Sequence, residues 1–347
     1  MDIKKYFDLA IKKGASDLHL VAGCKSTLRI EGSLEVIDDQ ILNQQELEAA
    51  IFSLMKKEDV DVFKKDKELD FALDVAGSNF RINLHQQEGK IGLAARVVPE
   101  DVPSPQDVMF SEVMYGLSHL NNGLVLITGP SGSGKSTTLA VLINLINKER
   151  RAHIITIEDP VEFVFKENQS IIEQREIGRD TKSFSEALKR ALRQDPNVIM
   201  VGEMRDLETI SATLTAAETG HLVLSTLHTS TATETIERIV DIFPTHRQKQ
   251  ILLQLASTLR VVVCQQILPK KDGGLVVARE VMINTPAISN LIWEGKIAHI
   301  HSAIQTGKSE GMVTMDTSLK NLYEKKMIEK QVYLNRTSTT DTLNTYY

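Results

Sequence analysis

The chain has 347 residues, 42% hydrophobic and 25% charged, proportions that suit a soluble globular protein with room for two domains. A formal net charge of −6 and only 5% aromatic residues argue against a broad nucleic-acid surface. The longest uninterrupted apolar run, Leu139–Ile143, cannot span a bilayer, and Cys24 and Cys264 lie too far apart for a Cys-x-x-Cys metal site, so a reducing, cytoplasmic chain without a signal segment is expected.

In chain order, residues 2–13 predict an amphipathic helix. Asp2 can cap it, Ile3, Phe7, Ala10 and Ile11 share one face, and Gly14 suits its end. Strands are expected at Asp17–Val21, Thr27–Ile30 and Leu34–Ile37, with Glu31-Gly32 as a tight turn. Residues 44–65 read as helix and Leu69–Val75 as extended. An alternating hairpin follows, with Phe80, Ile82 and Leu84 on one side and Arg81, Asn83 and His85 on the other. Ile91, Leu93, Ala95 and Val97 continue the alternation. A turn centred on Glu88-Gly89 sets Arg81 opposite Arg96 on the polar face. Like charges directly opposite destabilise a sheet, so an anionic group is expected near them. The plain alternative is two surface arginines that splay apart; the sharper reading is a pair of arginine fingers reaching a neighbouring subunit's nucleotide. Residues 1–98 thus form a small α+β domain.

Pro99, Pro103 and Pro105 mark a linker over 99–119. Beyond it, strands alternate with helices, as in a parallel sheet with crossover helices. The strands are expected at Gly123–Thr128, His153–Ile157, Asn197–Val201 and His221–Ser225. Ser183-x-x-Glu186 is a capping box, and Leu207, Ile210, Leu214 and Ala217 form a core stripe on a helix ended by Gly220. From Pro244 onward the chain reads as mostly helical, with one extended piece near Leu275–Val281. The second domain is expected over 120–336, and Thr337–Tyr347 as a frayed tail.

The chemistry centres on Gly129-Pro130-Ser131-Gly132-Ser133-Gly134-Lys135-Ser136-Thr137, which lies between an apolar strand and a helix. That is the context of a phosphate loop, where glycines let backbone N–H groups turn toward phosphate oxygens and the helix N-terminus adds positive charge. Lys135 is expected to reach the β- and γ-phosphates of a nucleotide, and the Ser136 hydroxyl to ligate Mg²⁺. Carboxylates at neighbouring strand ends must manage the metal and the attacking water. Glu203 follows Val198–Val201, with Gly202 where the usual metal-binding Asp would stand; it is a candidate for the base and for Mg²⁺, directly or through water. Glu158 and Glu162 in Ile157-Glu158-Asp159-Pro160-Val161-Glu162 are the other candidates, and either Glu203 or Glu162 can be the base. His228, at the end of a further strand, can sense the γ-phosphate; His221, before that strand, is evenly balanced between structural and functional roles.

Together these motifs resemble the secretion-ATPase superfamily and, within it, the PilT-like type IV pilus retraction ATPases, from about residue 1 to residue 330. Gly129–Thr137 resembles the Walker A loop, 156–163 the Asp box, 201–206 the atypical Walker B and 219–229 the His box. Arg81 and Arg96 match basic residues that the family presents to an adjacent subunit. The resemblance implies an α/β chain with a PAS-like N-terminal domain, a RecA-like motor domain with a helical C-terminal part, and a homohexamer that uses ATP and Mg²⁺ without zinc. It implies a partner in the inner-membrane pilus platform, so the ring is peripheral to the membrane, and no nucleic acid. Extension ATPases of the superfamily usually carry a four-cysteine zinc module, whereas this chain has two cysteines. An accessory retraction motor and a type IV secretion ATPase are the near alternatives; a nucleotide-sensing switch and a nucleic-acid motor are the distant ones. One departure stands out: the branch's A-I-R-N-L-I-R-E motif reads Ala287-Ile288-Ser289-Asn290-Leu291-Ile292-Trp293-Glu294. Trp293 is either a partner-facing anchor or a core residue.

Overall fold

The computed structural model describes residues 1–30, 33–98 and 101–337; the Glu31-Gly32 turn, Pro99 and the tail beyond Thr337 lie outside the described residues. The chain divides into two compact units, Met1–Asp101 with Glu162–Val164, and Val102–Val161 with Phe165–Tyr347.

The first unit runs α1 (Lys4–Lys12), β1 (Asp17–Val21), β2 (Lys25–Ile30), β3 (Ser33–Ile41), α2 (Gln44–Phe52), α3 (Lys57–Asp66), β4 (Glu68–Val75), β5 (Ser78–Gln87) and β6 (Lys90–Val97). Its six-stranded sheet has the order β3-β2-β1-β6-β5-β4, antiparallel throughout. The hairpin register is the expected one: Arg81 pairs with Arg96, and Gln87 with Lys90 around a turn in which Glu88 and Gly89 both have positive φ. Phe80, Ile82 and Leu84 are buried against α1, where the Phe7 and Phe80 rings meet edge to face at 4.8 Å. The single helix expected over 44–65 is instead two. Ser53 Oγ donates to Ala50 O at the break, and Leu54 and Met55 pack on the core, which prolongs the apolar spacing without continuing the helix. Strand β3 is a sheet edge with Leu34, Val36 and Ile41 exposed along it.

The second unit contains α4 (Glu112–Gly116), β7 (Gly123–Thr128), α5 (Lys135–Glu149), β8 (His153–Glu158), β9 (Ile171–Glu176), α6 (Phe184–Ala191) and β10 (Val198–Val201). It continues with α7 (Leu207–Glu218), β11 (Leu222–Leu227), α8 (Ala232–Asp241), α9 (Thr245–Thr258), β12 (Leu259–Pro269), β13 (Leu275–Ile283), α10 (Pro286–Trp293), α11 (Ile300–Thr306), α12 (Met315–Glu324) and α13 (Lys330–Leu334). The seven-stranded sheet has the order β13-β12-β7-β11-β10-β8-β9 and is parallel except for β13. Both faces are covered, so β7, β10 and β11 are buried at every residue, without alternation. Ser183 caps α6, its Oγ accepting from Glu186 N, while the Glu186 carboxylate meets Lys189 Nζ.

Three expectations change. Packed structure in this unit begins before residue 120, because Met114 of α4 and Leu117 are buried in its core. The expected helical stretch after Pro244 contains β12, which lies beside β7; α9 passes into it with no Gly or Pro between, and only Val261-Val262-Val263 signals the change. The third is β9, an edge strand rich in polar residues that alternation did not reveal.

Candidate nucleotide site

Strands β7, β11, β10 and β8 are neighbours in that order, and their carboxyl ends carry the phosphate loop, His228, Glu203 and Glu158 respectively. Ligands in open α/β sheets bind at this edge. Strand β11 therefore separates the loop strand from the Glu203 strand, so the acid is not on an immediate neighbour of β7.

The loop's glycines are required by shape. Gly129 has φ 143° and Gly134 φ 81°, and a Cβ at Gly129 would come within 2.4 Å of Gln265 O. Gly134 is the residue before α5, so the first N–H groups of a helix over Lys135–Glu149 face the loop. Pro130, Ser131 and Gly132 are exposed, Ser133 and Lys135 are buried, and Ser136 and Thr137 are half-buried in the first turn of α5. Lys135 Nζ donates to Gly129 O at 3.0 Å and to Pro130 O at 3.1 Å. Ser133 Oγ is buried without a hydrogen-bond partner among the described residues. Glycine cradle, inward-turned ammonium, orphaned hydroxyl and helix N-terminus all suit a phosphate chain.

Gln265 of β12 braces this loop and was not among the expected site residues. Its Nε2 donates to Ser133 O at 2.7 Å, and its Oε1 accepts from Thr138 Oγ1 at 3.0 Å, both within the core. One buried amide thus ties the loop to the helix it opens. No motif marks it, because it lies 127 positions beyond Thr138 in the chain.

Glu203 is held at its strand end by Thr226 of β11, whose Oγ1 donates to Gly202 O and whose O accepts from Met204 N. The Glu203 side chain is 12% exposed, and its two oxygens have different partners: Arg205 Nε at Oε1, and His228 Nε2 at Oε2, 3.3 Å away. Glu203 and His228, expected separately as site residues, are therefore brought together, and Arg205 joins them. Gly202 fits as glycine because a Cβ there would crowd Ile157 O at 3.3 Å.

Glu158 is buried, and its Oε1 accepts from Thr156 Oγ1 at 2.6 Å and Gln174 Nε2 at 3.2 Å. These bonds give it a part in holding the strand end. Glu162 is exposed beyond the turn that follows β8. His221 stands at the opposite end of β11, about 23 Å from His228 at roughly 3.3 Å per residue, where its Nδ1 meets Ala216 O and Thr219 Oγ1. These contacts fix its ring at that end of the strand.

In the first unit, Asp17 supplies the anionic group expected beside Arg81 and Arg96, through an ion pair from Arg96 Nε to Asp17 Oδ1 at 2.8 Å. Arg81 is half-buried and makes no ion pair among the described residues.

Helix α10 forms over the departing motif, capped by Thr285 with Pro286 in its first turn. Ser289 Oγ donates to Ala256 O of α9, whereas Trp293 is 52% exposed and so is not a core residue.

The family model for "Type II/IV secretion system protein" matches residues 106–342. The chain is 46% identical over 332 residues to the type IV pilus retraction ATPase PilT of Pseudomonas aeruginosa, covering 95% of this chain and 96% of that protein. It is 40% identical over 326 residues to a twitching motility protein of Neisseria gonorrhoeae, covering 93% and 87%. A crystal structure of the pilus retraction motor PilT with bound ADP superposes with a TM-score of 0.93 at 42% identity, covering 99% of each chain. The chain belongs to the type II/IV secretion system protein family, in its PilT-like retraction ATPase branch.

Proposed function

We propose that this chain is a P-loop ATPase that drives type IV pilus retraction, working as a homohexamer at the cytoplasmic face of the inner membrane against a platform protein at the pilus base. The observation that carries the reading is the strand-end row of phosphate loop, His228, Glu203 and Glu158 in a chain of this family. The accessory-motor and secretion-ATPase alternatives are less favoured. Among the described residues no helix is long and apolar enough to cross a membrane, which is compatible with a peripheral ring.

In this reading the loop amides of Gly129–Thr137 cradle the phosphates of ATP, and Lys135 exchanges its carbonyl partners for the β- and γ-phosphates. Ser136 and Glu203 offer the hard oxygen donors that Mg²⁺ takes, and the ion when bound adds neutralisation of phosphate charge. Glu203 orients the attacking water, and His228, hydrogen-bonded to Glu203, reads the γ-phosphate. Arg81 and Arg96 act on the nucleotide of a neighbouring subunit.

The test is steady-state ATPase activity with nucleotide binding measured in parallel. Glu203→Gln is expected to keep ATP binding and to lower turnover by about 10²- to 10⁴-fold. Hydrolysis at the wild-type rate would transfer the base to Glu162. In cells, deletion of the chain is expected to leave surplus pili that do not retract; too few pili would point to an extension motor.

A further inference from the structure

Across β2, β1, β6 and β5 the register sets Arg29, Asp17, Arg96 and Arg81 side by side on the polar face of the first unit's sheet. Asp17 is the only carboxylate in that row. Its Oδ1 accepts from Arg96 Nε at 2.8 Å, its Oδ2 accepts from Ser16 Oγ at 2.8 Å, and Arg29 Nε lies 4.0 Å from Oδ2. The two ends of the main ion pair are placed differently: the Asp17 side chain is 13% exposed and that of Arg96 is 67% exposed. The carboxylate is set into the sheet surface while the guanidinium stands out from it.

Which nitrogen is used matters. An arginine anchored through Nε keeps both terminal amino groups, which can grip two oxygens of one phosphate side by side. Beyond the pair lies a hollow of about 380 Å³, lined by Asp17, Asp70, Arg81, Asn83, Ala94 and Arg96. The small Ala94 side chain leaves that space beside the arginines.

We infer that Asp17 is the positioning residue for Arg96, holding its Nε against the sheet so that its outer edge is presented to a phosphate carried by a second copy of this chain. The inference rests on the trans-acting role proposed above for Arg96. Two physical points support it. Without Asp17, Arg96 loses the carboxylate beside it on β1 and keeps only the like charge of Arg81 beside it on β5, and like charges in register push apart. A long side chain without an anchor also regains rotamer freedom that it must lose again on each contact. Asp17 is suited to the task because it stays ionised: burial pushes its carboxyl up, but the Ser16 hydroxyl and Arg96 outweigh this and hold it below the usual range.

The experiment is ATP hydrolysis by the full-length protein carrying Asp17→Ala, Asp17→Asn, Arg96→Ala, or Asp17→Ala with Arg96→Ala. Asp17→Ala and Arg96→Ala are each expected to lower kcat about tenfold or more, with KM for ATP little changed. Asp17→Asn, which keeps the side-chain shape and an acceptor, is expected to fall between wild type and Asp17→Ala, and it preserves the comparison if Asp17→Ala does not assemble. The double variant is expected to match Arg96→Ala, because an orienting group has no effect once its arginine is gone. A further loss in the double variant would make Asp17 a structural residue and overturn the inference. Loss of turnover in Arg96→Ala with wild-type turnover in both Asp17 variants would overturn the inference and leave the trans arginine standing. Wild-type turnover in Arg96→Ala would overturn both.

Discussion

The two sheets present charge in opposite ways. In the second unit the functional groups sit on loops at strand ends and already satisfy one another: Lys135 on the carbonyls of its own loop, Glu203 between Arg205 and His228. In the first unit Arg81 and Arg96 rise from within strands of an open sheet face, where Asp17 meets Arg96 while Arg81 has no ion-pair partner among the described residues. A ligand at the strand-end site must compete with internal contacts, so binding there reshapes the site. A ligand at the sheet face can be gripped by the terminal amino groups of Arg96 while its Nε bond to Asp17 is kept. The first arrangement suits chemistry that must be gated, and the second suits recognition of an anion that arrives from outside.

The sharpest way to break this contrast is to separate the two surfaces onto different chains. Arg81→Ala and Lys135→Ala are each expected to lower ATP hydrolysis by about 10³-fold or more. Mixed together, they should regain activity, because some assemblies then pair an intact arginine face with an intact phosphate loop. If labelled subunits exchange and the mixture stays inactive, both surfaces serve the chain that carries them.

A smaller effect is expected at Gln265, which tests whether the strand-end site depends on its internal bonds. Gln265→Leu leaves Ser133 O and Thr138 Oγ1 without their buried partner, at a cost of about 1–3 kcal/mol in stability. KM for ATP should rise more than kcat falls, since the loss bears on the shape of the loop rather than on the water. Unchanged KM, with stability lowered, would mean that the loop keeps its form without the brace.

The smallest effect on the ATPase is expected at Trp293, which lies on neither surface. Its exposure predicts that Trp293→Ala changes stability by less than about 0.5 kcal/mol and leaves ATPase activity close to wild type, while pilus retraction is impaired through loss of a partner anchor. Loss of assembly together with ATPase activity would make Trp293 structural.

What could be read from the sequence depended on how local each feature is. Alternation and the Glu88-Gly89 turn were enough to set Arg81 against Arg96, because a hairpin closes within a few residues. The strand-end placement of Glu203 and His228 was legible for the same reason, as each follows its own apolar run. Their meeting was not, since it depends on β10 and β11 being adjacent. Asp17 and Gln265 were missed because their partners lie 79 and 127 positions away, and neither forms part of a recognisable spacing. Strand β12 was missed through lack of punctuation, its apolar residues continuing those of α9.

The outer strand β3 has a consequence for how the first unit behaves in solution. It leaves one edge of a six-stranded sheet open, and Leu34, Val36 and Ile41 are exposed along it. Such an edge is a template for pairing with another strand. Here the register with β2 shifts between Lys25 and Thr27, and Glu35, Asp38 and Asp39 interrupt the apolar residues. Lys25 reaches Asp39 at 2.6 Å, and Asp38 is engaged by Lys5 and the Tyr6 hydroxyl. Irregular register and interspersed acids are the devices by which sheets resist edge-to-edge aggregation. Replacing these carboxylates with neutral residues is therefore expected to open the strand to edge-to-edge pairing.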